Sequence, residues 1–163
     1  MYDEGKGHML VKLLSLIKLV DVRDTYEISQ GTLLRYLNEM MWFPSAALNN
    51  YIQWEAIDSN SAKATMSYQG VTASAVFHFN ELGQLTNFVA DRYREAGGEF
   101  ILTKWSTPIS EYGTFEGIRI PSKGEGVWHL NSGEFSYIKV EITEVAYNES
   151  STRRTADRPL RGD

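Results

Sequence analysis

Histidines, which often act as catalytic bases or metal ligands, are few in this chain. The three histidines are His8, His78 and His129. They stand neither one helical turn apart nor in an H-x-H pair, so a metal site would need carboxylates from separate strands, such as Glu55, Asp91 or Glu125. We instead expect His78 and His129 to be polar-face residues of strands, and we predict no metal ion.

The short motifs that mark common enzyme classes are missing. The sequence has no G-x-S-x-G elbow, no Walker loop and no G-x-G-x-x-G fingerprint. It has no cysteine, which excludes a disulfide framework, a thiolate metal site and a cysteine nucleophile. We therefore predict no catalytic residue and no cofactor. An enzyme of unrecognised type, pairing a histidine with one of the acids named above, is the alternative.

The run Asp91-Arg92-Tyr93-Arg94 is the most informative group of charges. Two arginines and an acid at a strand end cost desolvation free energy if they point inward, so such groups are usually paired or exposed. Guanidinium groups also bind carboxylate and phosphate through two parallel hydrogen bonds. Arg92 or Arg94 could therefore clamp an anion or a lipid headgroup. The alternatives are a structural ion pair, for instance with Glu125, and a solvated strand end.

Aromatic side chains recur in almost every segment of the chain. They include Trp42, Trp54, Trp105, Trp128, Phe77, Phe79, Tyr93 and Tyr112. A two-layer domain could need them only as core, whereas a curved sheet could leave some of them around an apolar cavity. For a cavity we predict Arg92 and Arg94 at the mouth and a wall of six residues. The predicted wall residues are Met40, Met41, Trp54, Phe77, Phe79 and Trp105.

Two long elements precede the predicted sheet. Apolar and basic residues alternate over residues 9–19, which predicts a strand; the alternative is a basic amphipathic helix lying on a membrane. A helix is predicted over residues 30–42, with an N-cap oxygen from Ser29 and an end enforced by Pro44. The apolar residues at helical spacing are Leu33, Leu34, Leu37, Met40 and Met41.

Beyond residue 48 the pattern predicts a run of short strands. We expect strands over residues 51–57, 62–68, 71–79, 85–94, 103–112, 115–121, 123–130 and 135–147. No second helix has room to form a crossover, which indicates an antiparallel meander. The predicted fold class is mainly β (α+β): a curved antiparallel sheet or half-barrel with one long helix packed on one face.

Length and charge limit the number of domains and the kinds of partner that can be expected. We predict one domain over residues 1–148 and a solvated tail over residues 149–163. The formal net charge is −5, so we expect no nucleic-acid partner. The apolar stretch near the N-terminus is shorter than the roughly 20 residues of a transmembrane helix. The acidic first residues are not typical of a secretion signal, which leaves the cytoplasm as the default and the cell envelope as the alternative.

Four segments carry a resemblance that runs over nearly all of the chain before the tail. They are RYLNEMMWFPSAAL (35–48), WEAIDSNSAKATM (54–66), FHFNELGQLTNFVADRYR (77–94) and EYGTFEGIRIPSKGEGVWHL (111–130). Together they resemble a bacterial family of conserved hypothetical proteins without assigned function, so no catalytic residues are implied. The resemblance implies further strands upstream in fuller members, and hence that this chain is a fragment or a shortened member.

More distantly, the order of long strand, helix and meander is similar to the half-barrel lipoprotein carriers of the LolA type. Those proteins hold acyl chains between a curved sheet and a helix. We therefore expect a binding module for an apolar or lipid-like molecule, with a structural or interaction domain as a further alternative. If upstream strands are missing, an open edge at residues 9–19 predicts a homo-oligomer formed through the sheet edge. A monomer in which residues 135–147 cover that edge is the alternative.

Overall fold

The computed structural model describes the backbone of residues 2–3 and 6–7 and all of residues 25–147. Near the N-terminus, strands β1 (Tyr2–Asp3) and β2 (Lys6–Gly7) pair antiparallel. The strand predicted over residues 9–19, its membrane-helix alternative and the predicted tail lie outside the described residues.

In the part of the chain that the structure describes, one α-helix, α1, runs from Tyr26 to Glu39. Its N-cap is Thr25, so the prediction of Ser29 as the N-cap is wrong, and the helix begins and ends a few residues earlier than predicted. A tertiary contact accounts for the early start, because the ring of Tyr26 packs edge-to-face on that of Tyr93 at a centroid distance of 6.3 Å. A short 3-10 helix, Pro44–Leu48, follows.

Over residues 25–147, eight further strands form one open sheet in which every pairing is antiparallel. They are β3 (Ile52–Asp58), β4 (Ser61–Tyr68), β5 (Val71–Phe79), β6 (Leu85–Ala96), β7 (Glu99–Ser106), β8 (Ile109–Phe115), β9 (Ile118–Leu130) and β10 (Gly133–Glu141). The order across the sheet is β10-β9-β7-β6-β5-β4-β3, and β8 pairs with the first half of β9. The predicted fold class is confirmed: an antiparallel sheet with one helix packed on it.

Prolines explain two errors in the predicted strands. The stretch predicted over residues 103–112 is divided between β7 and β8, because Pro108 between them lacks the N–H that a strand ladder needs. The stretches predicted over residues 115–121 and 123–130 are one strand, β9. Pro121 is tolerated there because the ladder between β8 and β9 is irregular next to it.

Helix α1 packs against β4, β5 and β6 on one face of the sheet. All five residues of the predicted helical stripe are buried, which confirms that face of the helix as core. The sheet presents small side chains to the helix, and these allow the helix to approach closely. These are Ala64, Ala73, Ala75 and Ala90, each at most 6% exposed.

A row of six aromatic rings crosses the same face of the sheet from β3 to β10. Its members are Trp54, Phe77, Phe88, Trp105, Trp128 and Tyr137, with neighbouring centroids 5.0 to 6.4 Å apart. Direct cross-strand pairing places Phe77 opposite Phe88 and Trp105 opposite Trp128. The middle of the row is core, and its members toward β10 extend beyond the strands that α1 covers.

Candidate functional site

A cavity of about 440 Å³, called here the large cavity, lies where the C-terminal half of α1 meets β7, β9 and β10. This volume is within the roughly 300–1,000 Å³ of pockets that hold small molecules. Most of its wall is apolar. Wall residues from several elements include Met41, Trp42, Trp105, Ile109, Ile138 and Val140.

Two glycines of β9 line the large cavity where other residues would carry side chains. A Cβ atom on Gly126 would lie 2.8 Å from Cγ2 of Ile138, and one on Gly124 would lie 2.9 Å from the carbonyl oxygen of Pro108. Neither site has room for a Cβ atom unless its neighbours move. Glycine is therefore required for the close approach of β9 to the chain on either side of it.

The segment over residues 142–147, called here the strap, encloses one side of the large cavity. The backbone N–H of Ile142 donates to β9 at 2.8 Å, and the hydroxyl of Tyr147 donates to the carbonyl oxygen of Trp42 at 3.0 Å. These bonds hold the strap at both ends. The strand predicted over residues 135–147 is therefore too long, because its last six residues leave the ladder and cross toward the helix end.

Arg92 on β6 lies against the large cavity with its guanidinium over two rings. Its Cζ is 4.8 Å from the ring centroid of Trp105 and 5.9 Å from that of Trp128. On the helix side, a Cβ atom on Gly31 would lie 3.5 Å from Nε of Arg92. Within residues 25–147, Arg92 makes no hydrogen bond and no ion pair, with Glu125 or any other acid. Its charge is balanced there only by the ring faces.

The other basic residues that line the large cavity are already paired. Nε of Arg35 donates to Glu39 at 2.6 Å. Nζ of Lys123 lies 3.2 Å from Glu111, and this hydrogen bond raises the pKa of the Lys123 ammonium. Among the described residues, Arg92 is thus the one cation at this cavity without a carboxylate beside it.

The indole of Trp105 is a second unpaired donor at the large cavity. Its side chain is 4% exposed, and Nε1 has no acceptor within the part of the chain that the structure describes. By contrast, the indole N–H groups of Trp42 and Trp54 donate to backbone carbonyls at 3.1 and 3.0 Å. A buried N–H without an acceptor costs roughly 1–3 kcal/mol. Because Nε1 of Trp105 has almost no accessible surface, it does not face the open part of the large cavity.

A second cavity of about 290 Å³, the small cavity, adjoins the first. Met41 and Pro121 line both cavities and therefore stand between them. The predicted wall is divided in consequence: Trp105 and Arg92 line the large cavity, and Arg94 lines neither. The predicted wall residues at the small cavity, besides Met41, are Met40, Trp54, Phe77 and Phe79.

Sequence reasoning missed two parts of the large cavity. The sequence pattern predicts the strap as the end of a strand, and no local pattern distinguishes the two. The glycines of β9 carried a usable signal, because Gly124-Glu125-Gly126 inside a strand pattern indicates a close approach of another chain segment.

His129 has partners other than the acids considered from the sequence. Its Nε2 lies 2.8 Å from Oγ of Ser106, and its Nδ1 lies 3.3 Å from Oε1 of Glu134. Hydroxyl, imidazole and carboxylate follow one another as in a nucleophile triad. However, Ser106 is only 3% exposed, and none of the three residues lines either cavity. The enzyme alternative stays a prediction. In the described part of the chain, no three potential metal ligands cluster.

Comparisons with known proteins locate the chain in one family. A family model described as a family of unknown function, DUF6544, matches residues 1–140. No curated protein and no solved structure matches significantly. The family match confirms the resemblance to conserved hypothetical proteins, whereas the likeness to LolA-type carriers is not shown and stays a prediction. Within the described residues, no helix has the length and apolarity to cross a membrane.

Proposed function

Because the chain belongs to DUF6544, a family of unknown function, we propose a function from its own site: it binds an apolar or lipid-like molecule in the large cavity without catalysing a reaction. The observation that carries the proposal is the cavity itself, a space of about 440 Å³ between helix, sheet and strap. Protein interiors are otherwise close-packed, so an apolar occupant regains dispersion contacts that the wall lacks.

The large cavity suits such an occupant better than the small one. Its wall combines residues of several strands, the helix end and the strap, whose Tyr147 hydroxyl donates to the carbonyl oxygen of Trp42. The Tyr147 end of the strap is held in addition by its backbone N–H, which donates to Oε2 of Glu116 at 3.2 Å, and by an edge-to-face contact between the rings of Tyr147 and Phe43. The small cavity lies at the lower end of the usual volume range, and its wall residue Trp54 is 41% exposed.

Tryptophan fluorescence tests the proposal and locates the ligand. Trp42 and Trp105 line the large cavity, whereas Trp54 lines the small one. Bromododecanol, whose bromine quenches nearby indoles, should quench the protein in a saturable way. Trp54→Phe should keep most of this quenching, and a double variant with Trp42→Phe and Trp105→Phe should lose most of it.

A cavity-filling substitution gives an independent test. Val140→Phe adds a ring at the wall of the large cavity and should reduce the affinity for dodecanol strongly. Val76→Phe is the matched control, because Val76 on β5 faces away from α1 and lines neither cavity. Absence of saturable quenching in the natural protein, or equal loss of affinity in both valine variants, would overturn the proposal.

Self-association through a sheet edge stays a separate proposal. The strand predicted to form that edge lies outside the described residues, but among the strands that the structure describes β3 is at one end of the sheet. Its side chains Trp54 and Ile57 are 41% and 52% exposed, and charged Glu55 and Asp58 lie between and beside them. An unpaired edge strand can pair with a strand of another molecule unless charged side chains on it oppose this pairing. A concentration-independent monomer mass by light scattering would exclude this assembly.

A further inference from the structure

We propose that the ligand of the large cavity is a single-chain amphiphile with a carboxylate head, and that Arg92 binds this head. The inference rests on the proposed function, because it needs the large cavity to hold the apolar tail. Arg92 has no carboxylate partner within residues 25–147, whereas the other two basic residues at the cavity, Arg35 and Lys123, are paired with Glu39 and Glu111.

The backbone directs Arg92 toward the cavity rather than toward solvent. Residues alternate between the two faces of β6, and Arg92 follows Phe88 and Ala90 on the face that α1 covers. Gly31 leaves room for the guanidinium against the helix. An arginine on this face loses part of its hydration, so an anion that restores its hydrogen bonds is favoured.

The rings around Arg92 leave its hydrogen-bonding capacity unused. Stacking on Trp105 and Trp128 offers electrostatic attraction to the ring faces, but it supplies no strong acceptor for the five N–H donors. A carboxylate accepts two of these donors at once in a planar fork.

The charges around the large cavity favour a singly charged head. Glu125 and Glu144 line it as well, and no basic residue within 25–147 forms an ion pair with either. A phosphate monoester carries a charge of about −1.5 to −2 at neutral pH and would be repelled more strongly by these carboxylates. An ammonium head would be attracted by these carboxylates, but it would be repelled by Arg92 and, like an alcohol head, would leave most of the N–H donors of Arg92 unpaired.

The test compares four dodecyl compounds that differ in the head alone. Laurate, dodecanol, dodecyl phosphate and dodecyltrimethylammonium are titrated, each below its micelle concentration, by calorimetry or by tryptophan fluorescence. Laurate should bind roughly 10- to 100-fold more tightly than dodecanol, as expected for charge-assisted hydrogen bonds. Dodecyl phosphate and the ammonium compound should both bind more weakly than laurate.

Variants at two arginines of β6 assign the effect. Arg92→Met should abolish the preference for laurate over dodecanol. Arg92→Lys should bind laurate several-fold more weakly, because lysine keeps the charge but cannot form the two parallel hydrogen bonds of a guanidinium. Arg94→Met is the matched control, since Arg94 lies two residues away on the same strand and lines neither cavity. It should leave laurate binding unchanged.

The outcomes separate this inference from the proposed function. If no dodecyl compound binds the natural protein, the proposed function fails, and this inference fails with it. If dodecanol binds and laurate binds no more tightly, the preference for a carboxylate head is refuted, whereas the proposed function is not. The role of Arg92 is refuted if Arg92→Met weakens laurate and dodecanol equally, or if Arg94→Met has the same effect. If Arg92→Met does not fold, Arg92→Lys alone tests the role of Arg92. An unchanged preference of this variant for laurate over dodecanol would refute the bidentate hydrogen bond between Arg92 and the carboxylate.

Discussion

Replacing Phe88 by alanine should lower the free energy of unfolding by about 4–5 kcal/mol. Phe88 is 0% exposed, and its ring makes edge-to-face contacts with Phe77 at 5.0 Å and with Trp105 at 5.8 Å. Buried Phe-to-Ala changes cost about 3–5 kcal/mol, and each aromatic pair contributes roughly 0.5–1.5 kcal/mol beyond buried area. We expect the upper part of this range because the rings on both sides are held by neighbouring strands and cannot collapse into the gap.

Urea denaturation followed by tryptophan fluorescence measures this cost, provided that the dependence on urea keeps its slope. Phe135→Ala is the matched control, because Phe135 on β10 is 55% exposed and its removal leaves no closed cavity. It should cost less than half as much as Phe88→Ala. A cost below about 2 kcal/mol for Phe88→Ala, or equal costs for both variants, would show that the ring row does not form the core described above.

Three further expectations follow from single contacts. Tyr147→Phe removes the bond to the carbonyl of Trp42 and should destabilise the protein by about 0.5–1.5 kcal/mol, with faster amide exchange in the strap; unchanged exchange would contradict this. Gly31→Ala should stabilise the protein by up to about 1 kcal/mol in urea melts, because the new Cβ meets Arg92 at ordinary contact distance, whereas Gly31→Leu should destabilise it. Burial raises the pKa of Tyr112, so as pH rises the phenol loses its proton in the unfolded chain before it does so in the folded protein. This contribution to stability should be complete below about pH 10 and decrease above it. Tyr112→Phe should make the decrease in the urea midpoint above that pH smaller.

Short-range patterns in the sequence predicted those elements whose partners are adjacent in the chain. The alternation in residues 71–79 gave β5 with its correct bounds and its correct inward face. The leucine stripe identified the buried face of α1. Both signals depend only on the periodicity of neighbouring residues, which a strand or a helix imposes directly. The Asn80-Glu81-Leu82-Gly83 loop between β5 and β6 was predicted for the same reason, because turn residues act locally.

Prediction of the site was less complete, since a cavity is a relation between distant segments. The six predicted wall residues all line a cavity, but they are distributed over two, with Met41 at both. The bond between the helix end and Pro121, made by Trp42, links residues 79 positions apart in the sequence. No periodic pattern encodes such a contact.

By itself, the sequence determined the class of the fold, the buried faces and the absence of common catalytic motifs, because these follow from residue type and local spacing. Tertiary structure alone decided that the strap leaves the sheet to enclose a cavity. It also decided that Arg92 stands between two indole rings and the helix without an acid beside it. The physical reason is that the register of distant strands sets which side chains meet, and a charge is paired or unpaired only in relation to those neighbours.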